Sequence, residues 1–376
     1  MQNNTWVAGF RTGVIDPTEQ IKLAESREFG NETVRQILHM TGGGDAVRVR
    51  LTNRYGVAPL RIGAVRIARR KAGSAFIEDR AVTFGGAAAV TIDAGADSVS
   101  DPIELPVAAG EDLLLSLYLP ESTGLATFSH QPGEISYIVA GDQTAEVELI
   151  DAVEVPFRFF VTGIDVRVSE QSPVAVAFGD SWFEGVGTTP STNRRSVDVL
   201  NTRLSQGWVV NSGIAGNRLT AEEIGESGVR RFDSDALQVP GVTDILINFG
   251  INDLILGAMG GQPSATTEEL IAGFTDLAER AHAAGLRIHA ATIGPYAGCV
   301  FPGMPLLETQ PTRHAVNEWL RTTTLFDSIF DVDRAVADPE RPDYIRPEFD
   351  SGDGMHLNDA GAAAMAATVD VTALFR

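Results

Sequence analysis

From Val47 to Val168, apolar and polar side chains alternate. In AVRVRLTNRYG, Val47, Val49 and Leu51 share one side, and Arg48, Arg50 and Thr52 share the other. The same alternation returns at Leu60 and Ile62, at Val65 and Ile67, and at Leu113, Leu115, Leu117 and Leu119. A period of two, with Gly, Pro and Asn between the runs, predicts half-buried antiparallel strands packed as a β-sandwich. No amphipathic helix interrupts this pattern between Val47 and Val168, and the stretch up to Gly44 has no clear period.

Near VRVSEQSPVAVAFGD the period changes. Short apolar runs now alternate with helical stretches, and strands are expected at Val174–Phe178, Trp208–Asn211, Asp244–Phe249, Arg287–Ile293 and Ser328–Val332. Between the third and fourth, TTEELIAGFTDLAERAHAAG carries an apolar helical stripe of Leu270, Ile271, Phe274, Leu277, Ala278 and Ala281. Thr266 and Glu269 have the spacing of a capping box, and Gly285 is the stop. Strand–helix alternation predicts a parallel sheet with helices on both faces, and so an α/β domain at 169–376 behind a sandwich domain at 1–168. Such sheets bind ligands at the carboxyl ends of their strands, near the point where the strand order reverses. There is no internal repeat and no low-complexity tract.

Composition narrows the function classes. With 44% hydrophobic and 21% charged residues, the chain is neither disordered nor fibrous. No apolar run reaches the length of a bilayer span. A net charge of −21 repels nucleic acid and anionic membrane, so neither is an expected partner. Lys22 and Lys71 are the only lysines. Cys299 is the only cysteine, which excludes an intrachain disulfide and a cysteine zinc cage. It is read as a buried loop residue. The N-terminus, MQNNTWVAGFRTG, has neither a basic nor an apolar leader region, as expected of a cytoplasmic protein, or of a secreted one whose leader has been removed.

The residues that follow the predicted strands form a chemically consistent set. After the first come Gly179, Asp180 and Ser181; after the second, NSGIAGN with Gly213 and Gly216; after the third, Gly250 to Asp253. Before a last helix starting near Asn358 comes DGMHLN, with Asp353 and His356. A serine hydroxyl is a weak nucleophile and needs a base, which His356 can be. Asp353, three residues earlier, can fix the imidazole tautomer. The backbone N–H groups of Ser181 and Gly216 and the side-chain amide of Asn252 are candidate donors to an oxyanion.

Each block alone has an ordinary reading. Gly-Asp-Ser is a turn and helix cap, NSGIAGN a loop, Asn252-Asp253 an N-cap pair, Asp353 a turn former and His356 a loop residue. They gain weight jointly, because each falls where an α/β sheet collects its site. Gly-x-Ser-x-Gly is absent, since Phe183 stands two after the serine, so this is not the elbow of an α/β-hydrolase.

FGDSWFEG, NSGIAGNRL, INFGINDL and DGMHLNDAG, in this order, resemble the four blocks of the SGNH or GDSL-type hydrolases. The resemblance covers Val174 to Arg376. It implies a flavodoxin-like three-layer α/β/α fold and hydrolysis of esters without a cofactor. By matching blocks it makes Ser181 the nucleophile, Gly216 and Asn252 oxyanion donors, and His356 the base held by Asp353. GTTPSTNRR, GVRRFDSDALQVPGVTDILINFGIND and RHAVNEWLR are similar to a bacterial subgroup in which a β-sandwich (jelly-roll-like) precedes the hydrolase domain. NETVRQILHMTGGGDAVRVRLTNRYG resembles the start of that module. Where the family has Leu or Ile, often followed by Thr, this chain has Trp182 and Phe183, read as packing the first helix into the core.

The other histidines and loops have structural readings. His314 is read as a surface histidine on a helix, and His282 and His289 as a helix end and a strand position. SHQPGEISY around His130 is read as a structural turn, GAMGGQPS as a mobile loop, and DPERPDYIRPEFDSGDG as the loop that carries Asp353 and His356. No metal-binding motif occurs, so no metal is expected. The expected function is a serine esterase acting on short-chain acyl or carbohydrate-linked esters; a long-chain lipase would show an apolar lid segment near these blocks. Two alternatives stand beside it: an acyltransferase using the same residues, and a non-catalytic carbohydrate- or ligand-binding protein on this scaffold, with the sandwich as its working part.

Overall fold

The computed structural model describes residues 5–170 and 172–376. By their contacts the residues form two compact units. One takes the chain up to Thr18 and again Ala24–Ser172, and the other takes Glu19–Leu23 and Pro173–Arg376.

The first unit is a β-sandwich. One antiparallel sheet has four strands, in the order Thr5–Arg11, Val161–Val168, Val47–Thr52 and Asp97–Val99. The other has six: Val153–Val155, Ser136–Ala140, Glu32–His39, Asp112–Leu119, Ala64–Ala72 and Ala75–Ala81. The stretch before Gly44 that shows no clear period supplies Thr5–Arg11 and Glu32–His39, whose residues are mostly buried on both sides. Fully buried strands lose the alternation that marks a half-exposed one. Val47, Val49 and Leu51 lie in the core, whereas Arg48 and Arg50 are only half-buried.

The second unit is an α/β domain with a five-stranded parallel sheet. Its strands run Trp208–Gly213, Val174–Gly179, Val242–Asn248, Arg287–Ala291, Ser328–Phe330 across the sheet. The order therefore reverses at Val174–Gly179, the strand that ends two residues before Ser181. Register makes this geometry useful: Gly179 is paired with Gly213 on one side and with Asn248 on the other. Three loops thus leave the sheet at one level. Two strands are shorter than the apolar runs, ending at Ala291 and Phe330. Beyond them Thr292 turns its hydroxyl to the Asp331 carboxylate.

The helix Thr267–Ala283 has both bonds of its capping box: the Glu269 N–H donates to Thr266 Oγ1 and the Thr266 N–H to Glu269 Oε2. Leu270, Phe274, Leu277, Ala278 and Ala281 are buried, and Ile271 at the margin of the stripe is half-buried. The glycine-rich stretch read as a loop begins as a 3-10 turn, Leu256–Gly260.

Candidate active site

Three of the expected residues form one hydrogen-bonded chain. Ser181 Oγ lies 3.0 Å from His356 Nε2, and His356 Nδ1 lies 2.6 Å from Asp353 Oδ2. Ser181 and His356 are buried. Asp353 Oδ1 also accepts the N–H groups of Met355 at 2.9 Å and His356 at 2.8 Å. Burial works to raise the Asp353 pKa, but the imidazole and these N–H groups outweigh it and hold the carboxyl well below the usual range. An ionised Asp353 can only accept. The imidazole proton is therefore assigned to Nδ1, and Nε2 is left to accept from the serine.

The loop that carries this pair is laced together. The N–H groups of Gly352 and Gly354 donate to Asp350 Oδ1, and the Ser351 N–H to the His356 carbonyl. Asn358 closes the loop: its amide donates to the Glu348 and Asp350 carbonyls, and its Oδ1 caps the helix Asp359–Thr368.

Ser181 opens the short helix Ser181–Glu184, capped by Asp180, whose Oδ1 accepts the Trp182 N–H at 3.1 Å. Among the described residues, no protein acceptor takes the N–H of Ser181 or of Gly216. Gly216 has φ +80°, which points its backbone in a direction that a side chain would resist. Asn252 lies beside them but is engaged. Its amide nitrogen is 3.0 Å from the Asn217 carbonyl and 3.4 Å from Asp180 Oδ2.

Four further residues hold these parts, and two of them, Arg231 and Glu184, were not singled out by the sequence pattern. Arg231, fully buried, donates to the carbonyls of Gly179 at 2.8 Å and Ser212 at 2.9 Å, and to Asn217 Oδ1 at 2.8 Å. It thereby ties two strand ends to the loop after Gly216. Glu184 accepts the N–H of Ala215, the residue before Gly216. Asp253 accepts the N–H groups of Leu219 and Thr220. Asp180 is completely enclosed: burial pushes its carboxyl up to about 7, with the Trp182 N–H opposing and Asp253 adding to the rise.

Trp182 and Phe183 are buried. The indole lies against Gly294, where a Cβ would overlap the ring, and its N–H donates to the Met355 carbonyl at 3.0 Å. Phe183 packs near Phe330. Three other histidines of this unit lie elsewhere: His282 beside Asp327, His289 between Asp244 and Ser328, and His314 beside Asp343. Cys299 is buried, and its thiol is pushed up by burial. Among the described residues, no group of three or more His, Cys, Asp or Glu could hold a metal ion.

Residues 177–364 match the model of the GDSL-like lipase/acylhydrolase family. No curated protein matches the chain. Among solved structures, it is similar to a GDSL-like lipase from Bacteroides thetaiotaomicron (16% identity, 55% of this chain and 89% of that one, TM-score 0.41). It is also similar to a carbohydrate acetylesterase from Sinorhizobium meliloti (16% identity, 54% and 100%, TM-score 0.40). A third is an aryl esterase from M. smegmatis (15% identity, 52% and 95%, TM-score 0.39).

Proposed function

The chain belongs to the GDSL-like lipase/acylhydrolase family and is an ester hydrolase; on that premise we propose that it is a serine esterase that cleaves short-chain acyl or carbohydrate-linked esters. The observation that carries this reading is the continuous chain from Ser181 Oγ through His356 to the ionised Asp353, set beside the two unengaged N–H groups of Ser181 and Gly216.

Ser181 Oγ attacks the ester carbonyl as His356 Nε2 takes its proton. The N–H groups of Ser181 and Gly216 receive the negative charge that develops on the carbonyl oxygen, and the Asn252 amide adds to them when it lets go of Asp180. Such donors are most effective when they are fixed in advance, which is the part given to Arg231 and Glu184. His356 then protonates the leaving alcohol, and an acyl-serine remains. Water reverses the sequence: His356 accepts its proton as it attacks, and the acid and free Ser181 are released. Asp353 stays ionised throughout and stabilises the imidazolium between the steps.

The test is hydrolysis of p-nitrophenyl esters from acetyl to dodecanoyl by wild type and Ser181→Ala in parallel. The reading expects turnover highest on short chains and lost in the variant. Turnover that survives Ser181→Ala would overturn the serine mechanism. A maximum at dodecanoyl would overturn the substrate class.

A further inference from the structure

Five residues near the N-terminus, Glu19–Leu23, belong by their contacts to the hydrolase unit and not to the sandwich that precedes and follows them in sequence. They are pinned to one loop of it. Glu223 Oε2 accepts the N–H groups of Gln20 at 2.8 Å and Ile21 at 3.0 Å, and Glu19 Oε1 accepts the N–H of Gly225 at 2.7 Å. The loop itself is strained. Glu223 and Ile224 both have positive φ, +82° and +58°, a conformation that a β-branched residue strongly resists. Strain of this kind persists only where surrounding contacts enforce it, and it concentrates at functional sites.

The strain and the pins have one geometric result. Ile224 is turned inward, where its carbonyl accepts the Asn217 amide and its side chain lies against Gly216. Leu23 meets the same glycine. Its Cδ1 lies 2.9 Å from where a Cβ on Gly216 would sit, and Ile224 Cγ2 lies 2.7 Å from that point. Ile21 packs in the same way against Gly260. Ile224 is buried, but Leu23 is 43% exposed, so an apolar surface stands open beside a glycine whose N–H is free to bind the oxyanion.

We propose that Leu23, carried on this strap and backed by Ile224, is a specificity-determining residue that limits the length of the acyl chain. The inference rests on the serine-esterase reading. The alcohol must leave within reach of His356 Nε2, which protonates it. The acyl chain then takes the other side of the carbonyl carbon, past Gly216, and meets Leu23. A short acyl group fits beside the leucine, whereas a longer one must displace it or the strap. Residue size at position 23 therefore governs acyl length and leaves alcohol preference alone. Glu223 governs it indirectly, by holding the strap in place.

The experiment measures kcat/KM for p-nitrophenyl acetate and octanoate, and for a series of acetate esters with alcohols of increasing size. It uses wild type, Leu23→Ala, Leu23→Trp and Glu223→Ala, with Ser181→Ala alongside. Leu23→Ala is expected to raise the octanoate-to-acetate ratio at least fivefold, Leu23→Trp to lower it, and Glu223→Ala to move it in the direction of Leu23→Ala. The acetate series should change in parallel for all alcohols. Ratios within twofold of wild type in both Leu23 variants, or a change that follows alcohol size, overturn the inference and leave the serine reading standing. Turnover that survives Ser181→Ala overturns that reading and this inference with it.

Discussion

The indole N–H of Trp182 donates to the main-chain carbonyl of Met355 at 3.0 Å, so the residue after Ser181 holds the residue before His356. The two loops are thus connected twice, once through Ser181 and His356 and once through their neighbours. In the family resemblance this position is occupied by Leu or Ile, neither of which can donate. The ring is also wedged against Gly294, whose lack of a Cβ makes the space. On the serine-esterase reading, Trp182 is a positioning residue.

Trp182→Phe keeps most of the ring and removes the donor. A lost neutral hydrogen bond that leaves a buried carbonyl unpaired costs about 1–3 kcal/mol. If part of that loss is felt as misplacement of His356, kcat should fall by about tenfold, with KM little changed. Steady-state kinetics separate this from simple loosening of the core, which would lower the melting temperature and leave kcat per folded molecule untouched.

His356 and Asp353 should not be equally costly to remove. His356→Ala deletes the proposed base and should lower kcat by roughly a thousandfold, within the usual range of general-base contributions. Asp353→Ala leaves the base but frees its orientation and tautomer, so the loss should be smaller. The Asp353 carboxyl is held well below the usual range, so wild-type activity should not lose this anion above about pH 4. Folded, active-site-titrated preparations of both variants check the order, and equal losses would mean that the aspartate does more than orient.

Asp180 should make the protein less stable as pH rises. Its carboxyl is raised to about 7 by burial, whereas in the unfolded chain it ionises near the ordinary 3.9. Between these values the folded state binds more protons than the unfolded state. Stability therefore falls as pH increases across this window, by at most about 1.4 kcal/mol per pH unit, and levels off above 7. Asp180→Asn keeps an oxygen for the Trp182 N–H and removes the titration. Urea unfolding at pH 5 and pH 8 should show a smaller difference in the variant than in wild type.

The periodicity of this chain separates a strand-rich half from an alternating strand–helix half; the blocks after its α/β strands contain Ser181, Gly216 and Asn252, and the loop before the last helix contains Asp353 and His356. These features are legible because alternation, helical stripes and caps are local consequences of backbone geometry, and the carboxyl ends of parallel strands collect loops whatever the details. The two early strands at Thr5–Arg11 and Glu32–His39 escaped because burial on both faces erases alternation. Arg231, Glu184 and the Trp182–Met355 bond escaped for a different reason. Their partners lie tens or hundreds of residues away, and only sheet register brings Gly179, Ser212 and Asn217 within reach of one guanidinium. Leu23 is the extreme case. It lies nearly two hundred residues before Gly216, in a stretch without a period, and reaches it only because Glu223 and Ile224 adopt a backbone conformation that no local preference predicts. Sequence determined which groups stand at the strand ends. Tertiary structure decided which of them touch, because contact across a fold depends on register and on strain that distant contacts must hold in place.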